Sequence, residues 1–192
     1  MELNLFDRPI IKLQYELDWN SLKKKILNTK QYNPKTEVFS NTDIYWHIDN
    51  FNVINSELTE LDSYYNFILP QIKNYILNTL KTTTDDNIVV KDSWISRYNE
   101  NGFIKEHHHN SDTLAISCFY LEKNINETNT EFRNKDDVNS WREVPSKSFD
   151  VLLFPFDMMH RSQKNNTNKE RWLLTTNFSH SNTKPNTKKY LI

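Results

Sequence analysis

Three of the six histidines of this 192-residue chain, His107, His108 and His109, stand side by side in the stretch NENGFIKEHHHN. Five residues ahead of them is Gly102, the only glycine in the sequence. On a strand, side chains at i and i+2 share a face, so His107 and His109 would project together and His108 away from them. His160 follows the apolar run VLLFPFDMM, and eleven residues later Arg171 opens the apolar run RWLLTTNF. Two imidazoles at i and i+2 plus a third from a distant strand make a facial donor set that leaves metal positions open, the mark of non-haem Fe(II) oxygenases. An arginine at a set distance beyond the distal histidine can hold a carboxylate through a two-pronged hydrogen bond. The lone glycine then has a use as the turn residue that reverses the chain ahead of the ligand strand.

Plainer explanations compete with this one. Histidines clustered in a polar segment are commonly surface residues, and a histidine after a strand is commonly a satisfied core group. The triplet alone divides evenly between metal binding and a surface run. The addition of His160 and Arg171 at this spacing tilts the balance toward a metal.

Such side chains need elements to hold them. LFDRPIIKLQYEL alternates around Ile11, Leu13 and Tyr15 and predicts a strand. Asp18 is placed to cap WNSLKKKILNTK, a short helix with Trp19, Leu22, Ile26 and Leu27 on one side. Between Gln31 and Asn55 the pattern is irregular, and Phe39, Tyr45, Trp46 and Phe51 are expected to pack as a covering layer. From Ser56 to Leu80, apolar residues recur at threes and fours (Leu58, Leu61, Tyr65, Ile68, Leu69, Ile72, Ile76, Leu80), predicting a helix that Pro70 kinks or breaks. The second half changes character, with β-like runs NIVVKDSWISRY, TLAISCFYL, FDVLLFPF and RWLLTTNF between polar turns. Helices followed by closely spaced strands predict a β-sandwich or barrel with helices packed on one face. Lys123 to Lys147 reads as a long polar loop, of which Trp141 should anchor a part.

Composition narrows the classes. Hydrophobic residues make up 36%, charged residues 26% and aromatics 13%, which suits a globular domain with a full core. Lys+Arg 24 against Asp+Glu 25 gives a net charge of −1, so no nucleic-acid partner and no membrane-surface attraction is expected. A single cysteine, Cys118, excludes an internal disulfide framework and a cysteine-based zinc site. No run approaches the roughly eighteen apolar residues of a membrane span, and MELNLFDRPI lacks the apolar centre of a signal peptide. A cytoplasmic protein is the default expectation, and the heavy use of Asn, Lys and Ile fits an AT-rich genome such as a phage's.

Taken together, SWISRYNENGFIKEHHHN, ISCFYL, Pro145, LLFPFDMMH and RWLLTTNF resemble the 2-oxoglutarate/Fe(II)-dependent oxygenases related to prolyl 4-hydroxylases, bacterial and phage members included. That family carries a tryptophan-to-glycine segment leading into H-x-H, then a proline, an apolar strand ending in F-P, a histidine, and an arginine six residues before an asparagine. NLFDRPIIKLQYELDWNSLKKKIL is similar to the family's opening, so the resemblance spans most of the chain. It implies a fold of the α+β, mainly β class: a double-stranded β-helix (jelly-roll) core with N-terminal helices packed on one face. One oxygenase domain over 1–192 would comprise N-terminal support (1–85), the core (86–180) and a tail (181–192). It also implies Fe(II), 2-oxoglutarate as co-substrate, dioxygen, and hydroxylation of a small-molecule or peptidyl substrate. His107 and His160 become iron ligands, and Arg171 pairs with the far carboxylate of 2-oxoglutarate. His109 takes the place of the aspartate in the commoner set.

Two departures stand out. Phe149 occupies the position of the glycine that usually precedes the LLF strand, so that turn must be built differently. A third histidine removes a negative charge from the metal, which keeps Glu106 and Asp112 open as alternative carboxylate ligands; strand alternation ranks His109 first. Tyr98, nine residues before His107, could reach the co-substrate carboxylate or pack in the core. Asn177 and Thr175 share a strand face with Arg171 and could orient it or touch the co-substrate. Arg97 and Lys105 are either substrate-surface or solvated charges. Trp94, Ser117 and Phe119 are expected in the core or pocket wall, His47 and His180 as ordinary residues, and Cys118 as a small buried hydrophobe. The competing functions are a cupin-like metalloenzyme that needs no 2-oxoglutarate and a non-catalytic jelly-roll binding module. Arg171 in the strand after His160 speaks against the first, and the joint occurrence of the histidines with that arginine against the second.

Overall fold

The computed structural model describes residues 1–28, 31–32, 42–45, 53, 58–82 and 88–180. Phe39, Trp46, His47, Phe51 and the tail 181–192 lie outside these, and of Tyr45 only the backbone is described. The chain opens with strands β1 (Glu2–Leu5) and β2 (Arg8–Gln14), helix α1 (Trp19–Leu27), and short strands β3 (Gln31–Tyr32) and β4 (Asp43–Tyr45). Helix α2 (Glu60–Asn74) runs on as a π-helical segment, Tyr75–Leu80. The remainder is β: β5 (Ile88–Tyr98), β6 (Ile104–His107), β7 (Ala115–Glu122), β8 (Thr130–Arg133), β9 (Arg142–Val144), β10 (Asp150–Pro155), β11 (Met159–Ser162) and β12 (Arg171–His180).

Two antiparallel sheets result, an eight-stranded one ordered β1-β2-β10-β7-β12-β5-β4-β3 and a four-stranded one ordered β6-β11-β8-β9. The central strands of the large sheet are buried on both faces, and alternation sorts their side chains. Ala115, Phe119 and Leu121 of β7, Val151 and Leu153 of β10, and Trp172, Leu174 and Phe178 of β12 pack toward the helices. Ile116, Cys118 and Tyr120, Leu152 and Phe154, and Leu173 pack toward the small sheet. Helices therefore cover one face, with the Trp19 and Trp172 rings meeting edge-on at 5.5 Å, while the other face and the small sheet enclose the space where chemistry can occur. Asp18 caps α1 as expected, its carboxylate accepting the Ser21 N–H at 3.1 Å.

Several expectations are corrected. The first apolar run is a hairpin, because Phe6 and Asp7 take left-handed backbone (φ 56° and 57°) and turn the chain. Pro70 does not break α2, which passes through it with the proline ring exposed and without the one N–H bond proline cannot make; the helix becomes π-helical at Tyr75. The presumed loop 123–147 contains β8 and β9, half the strands of the small sheet, and Trp141 packs there under Arg161, 3.9 Å from its ring. These strands are too short and polar to show periodicity. His160 does not end the strand VLLFPF. That run is β10 of the large sheet, and His160 lies in β11 of the small one. Gly102 is buried without a positive φ; it closes a turn by donating to the Asn99 carbonyl at 2.8 Å, and Asn101 takes the left-handed position (φ 62°). Nor is the turn before β10 built differently from a glycine turn. Phe149 itself adopts φ 72°, secured by its N–H on the Tyr120 carbonyl at 2.6 Å.

Candidate metal centre

The strand pair β6–β11 places His107 directly opposite His160. Residues so paired have side chains on one face as nearest neighbours, and the two rings stand 4.2 Å apart. His109 lies two residues past the end of β6, where its N–H bonds the Phe156 carbonyl at 2.9 Å and keeps the chain extended. Its ring joins the same face, 5.4 Å from His107 and 5.2 Å from His160. One ring nitrogen from each of the three lies within 4.8 Å of the others. His108 is exposed, bonded through Nδ1 to the His109 carbonyl at 2.9 Å.

What orients these rings also prepares them. His107 Nδ1 meets the Lys105 carbonyl and His160 Nδ1 meets the Met158 carbonyl, each at 2.8 Å and each two residues back. A carbonyl only accepts, so Nδ1 carries the proton and Nε2 keeps its lone pair for a metal. Asn177 lies beside His109, its amide nitrogen donating to Asp92 Oδ2 at 2.9 Å. The carboxylate fixes which end of the amide is which, and the Asn177 oxygen is left buried beside His109 without a well-aligned hydrogen bond. Burial lowers the pKa of all three histidines, and their mutual proximity lowers those of His109 and His160 further; His109 falls to about 3. Three neutral imidazoles, the His107 and His160 rings anchored on backbone carbonyls, are a donor set a divalent transition metal takes.

The cluster opens on a cavity lined by Trp94, Tyr98, Ile104, Cys118, Thr130, Ser162, Leu173 and Thr175. Trp94 stacks on His109 with ring centres 6.2 Å apart. Tyr98 and Thr175, two of the residues singled out from sequence, are thus at the site. Cys118 is in its wall, and burial pushes its thiol up to about 12, which leaves it without nucleophilic character. Glu106 and Asp112 are turned elsewhere, Glu106 to Arg133 at 3.1 Å and Asp112 to Lys91 at 2.6 Å. Asn177 sits with Asp92 and His109, not with Arg171. Arg97 pairs with Glu170, while Lys105 is exposed. Ser117 bonds the Tyr64 hydroxyl and Phe119 is core.

Arg171 is buried behind the cavity wall, its guanidinium 4.1 Å from the centre of the Tyr98 ring. Its charge is met from within the chain, by Glu127 at 2.9 Å. Glu127 comes from the β7–β8 connection, in the polar run NINETNTEF, where no sequence signal marked it. Asp92 was equally unmarked, although an acid within the apolar run NIVVKDSWISRY is the kind of residue that could have been singled out.

No protein-family model matches the sequence, and neither does any curated protein. Solved structures do match. A prolyl 4-hydroxylase from Pseudomonas putida aligns with a TM-score of 0.65 at 16% identity, covering 89% of this chain and 92% of its own. HygX from Streptomyces hygroscopicus, solved with nickel, 2-oxoglutarate and hygromycin B, aligns at 0.67 with 11% identity, over 90% of this chain and 83% of its own. SnoN, an α-ketoglutarate-dependent non-haem epimerase from nogalamycin biosynthesis, aligns at 0.64 with 9% identity, over 90% and 76%.

Proposed function

We propose that this chain, whose jelly-roll fold is the one seen in 2-oxoglutarate/Fe(II) oxygenases, is a non-haem Fe(II) dioxygenase. It would couple oxidative decarboxylation of 2-oxoglutarate to hydroxylation of a small-molecule or peptidyl substrate, as a single domain. The observation that carries this is the meeting of three neutral imidazoles, two of them anchored on backbone carbonyls, at a cavity between the two sheets. His107, His109 and His160 would hold the ion. Fe(II), when bound there, supplies open coordination positions at which a 2-oxo acid and dioxygen can meet. The chain's own part is to fix the three donors, to line the cavity with Tyr98, Thr130, Ser162 and Thr175 hydroxyls, and to shield it with Trp94, Ile104 and Leu173. Fold neighbours include a hydroxylase and an epimerase, so hydroxylation is the assignment to be tested on product.

A second reading, a mononuclear metalloenzyme that uses no 2-oxoglutarate, draws support from the Arg171–Glu127 pair. An arginine already neutralised offers less to a co-substrate. Anaerobic titration with Fe(II), then 2-oxoglutarate, separates the two. A weak visible charge-transfer band that appears only with both present supports the oxygenase. Iron binding with no 2-oxoglutarate response selects the second reading.

A further inference from the structure

Arg171 and Glu127 form an ion pair with side chains 1% and 0% exposed. A carboxylate matched to a guanidinium accepts two parallel N–H bonds. Glu127 does not do this. Its nearer oxygen is 2.9 Å from Nη1, yet neither of its oxygens accepts a well-aligned hydrogen bond. Nη1 and Nη2 donate instead to the Thr128 and Gln163 carbonyls, each at 3.2 Å. Arg171 Nε is buried and has no acceptor. A buried N–H left without an acceptor is rare and calls for a cause. The arginine has a counter-charge without having its fork filled, and the Tyr98 ring it packs on lines the metal cavity.

Glu127 is also placed to leave. It sits in the turn between β7 and β8, closed by its N–H on the Asn124 carbonyl at 3.1 Å, beside Ile125, which is 83% exposed. Lys123 Nζ donates to the Glu127 main-chain carbonyl at 2.9 Å, which brings a second cation to the same turn. A side chain on such a turn can exchange partners without disturbing a strand.

We propose that Glu127 competes from within the chain with the distal carboxylate of a 2-oxo acid for Arg171, and so sets which 2-oxo acids the site accepts. This rests on the oxygenase reading above. It makes Glu127 a specificity residue, and the wild-type site a weak discriminator between mono- and dicarboxylate 2-oxo acids.

The test measures binding of 2-oxoglutarate and of 2-oxopentanoate, which carries a methyl where the distal carboxylate would be, to the Ni(II)-loaded protein by calorimetry. Wild type should prefer 2-oxoglutarate by less than about tenfold, whereas one unopposed charge-assisted bond would give about tenfold or more. Glu127→Gln keeps the shape and removes the charge, and should widen the preference by about tenfold through tighter 2-oxoglutarate alone. Arg171→Ala is the poorer probe, since it strands a buried carboxylate. If Glu127 merely braces Arg171, Glu127→Gln will leave the preference unchanged or reduce it, and the proposal is overturned while the oxygenase reading stands. Failure of both acids to bind either protein, with Ni(II) bound, removes the oxygenase reading and the competitor with it. Should Glu127→Gln misfold, Glu127→Asp retracts the carboxylate and should shift the preference the same way by a smaller factor; no shift overturns the proposal equally.

Discussion

At the scale of single residues, the centre depends on which nitrogen of each ring is free, and that is decided by neighbours. His107→Ala or His160→Ala leaves two donors and should abolish stoichiometric Ni(II) or Fe(II) binding in calorimetry. His108→Ala should bind as the wild type does, because its ring is exposed and bonds only a carbonyl. Glu106→Ala and Asp112→Ala should also bind normally, both acids being engaged with cations away from the cluster. Loss of metal in either carboxylate variant, with His109→Ala harmless, would move the third ligand to that acid. His109→Asp should retain the ion and add the charge of the commoner set. Asn177 keeps an unpaired amide oxygen beside His109, an acceptor for the ring's second nitrogen once Nε2 or Nδ1 takes a metal, and Asn177→Ala should then cost about 10- to 100-fold in metal affinity. Equal affinity in that variant would show that Asn177 is only a neighbour of the ring.

At the scale of elements, the geometry comes from cross-strand pairing. His160 lies between His107 and Phe132 because β11 is paired on both sides, so β8, read from sequence as loop, is what holds the middle ligand. The turn into β10 has its own energetics. Phe149 at φ 72° carries a left-handed cost of about 1–2 kcal/mol, set against packing of its partly buried ring on the helix-side core. Phe149→Gly loses the packing and regains the backbone term. Phe149→Ala loses the packing and keeps the strain. Chemical denaturation should therefore find the glycine variant more stable than the alanine one by about 1 kcal/mol, the reverse of their usual order in strands and helices. Alanine equal to or above glycine would mean that the backbone is relaxed there.

At the scale of the whole molecule, burial of three neutral histidines ties stability to pH. Their folded pKa values lie below the unfolded value of about 6.5, so below that pH the unfolded chain binds more protons. The stability that these groups supply is complete above pH 6.5. It is lost as pH falls through 6.5 toward the folded values, about 3 for His109. Melting temperature of the metal-free protein should drop progressively from pH 7 to 5. Metal affinity of the folded protein should fall less between pH 7.5 and 5.5 than at a solvated three-histidine site, because burial holds all three pKa values below the ordinary one. A steep loss of affinity centred near pH 6.5 would show that the rings are solvated. Among the described residues no helix is long and apolar enough to cross a membrane.

Spacing and alternation in the sequence were enough to single out His107, His109 and His160 and to set His108 apart, because a strand's period of two leaves few choices. The helix-covered β-sandwich was legible for the same reason: long apolar runs such as those of β7 and β12 show where a core must be. Composition along the chain could not show partners supplied by short polar segments. β8 and β9 have too few residues for a pattern, and Asp92 and Glu127 gain their roles only when distant strands bring them to His109 and Arg171. The sequence likewise marked Arg171 as a candidate carboxylate binder, from its offset beyond His160 and the fork a guanidinium offers. Which carboxylate reaches it was decided by the tertiary structure, because only the folded chain places Glu127 in the interior, 2.9 Å from that charge.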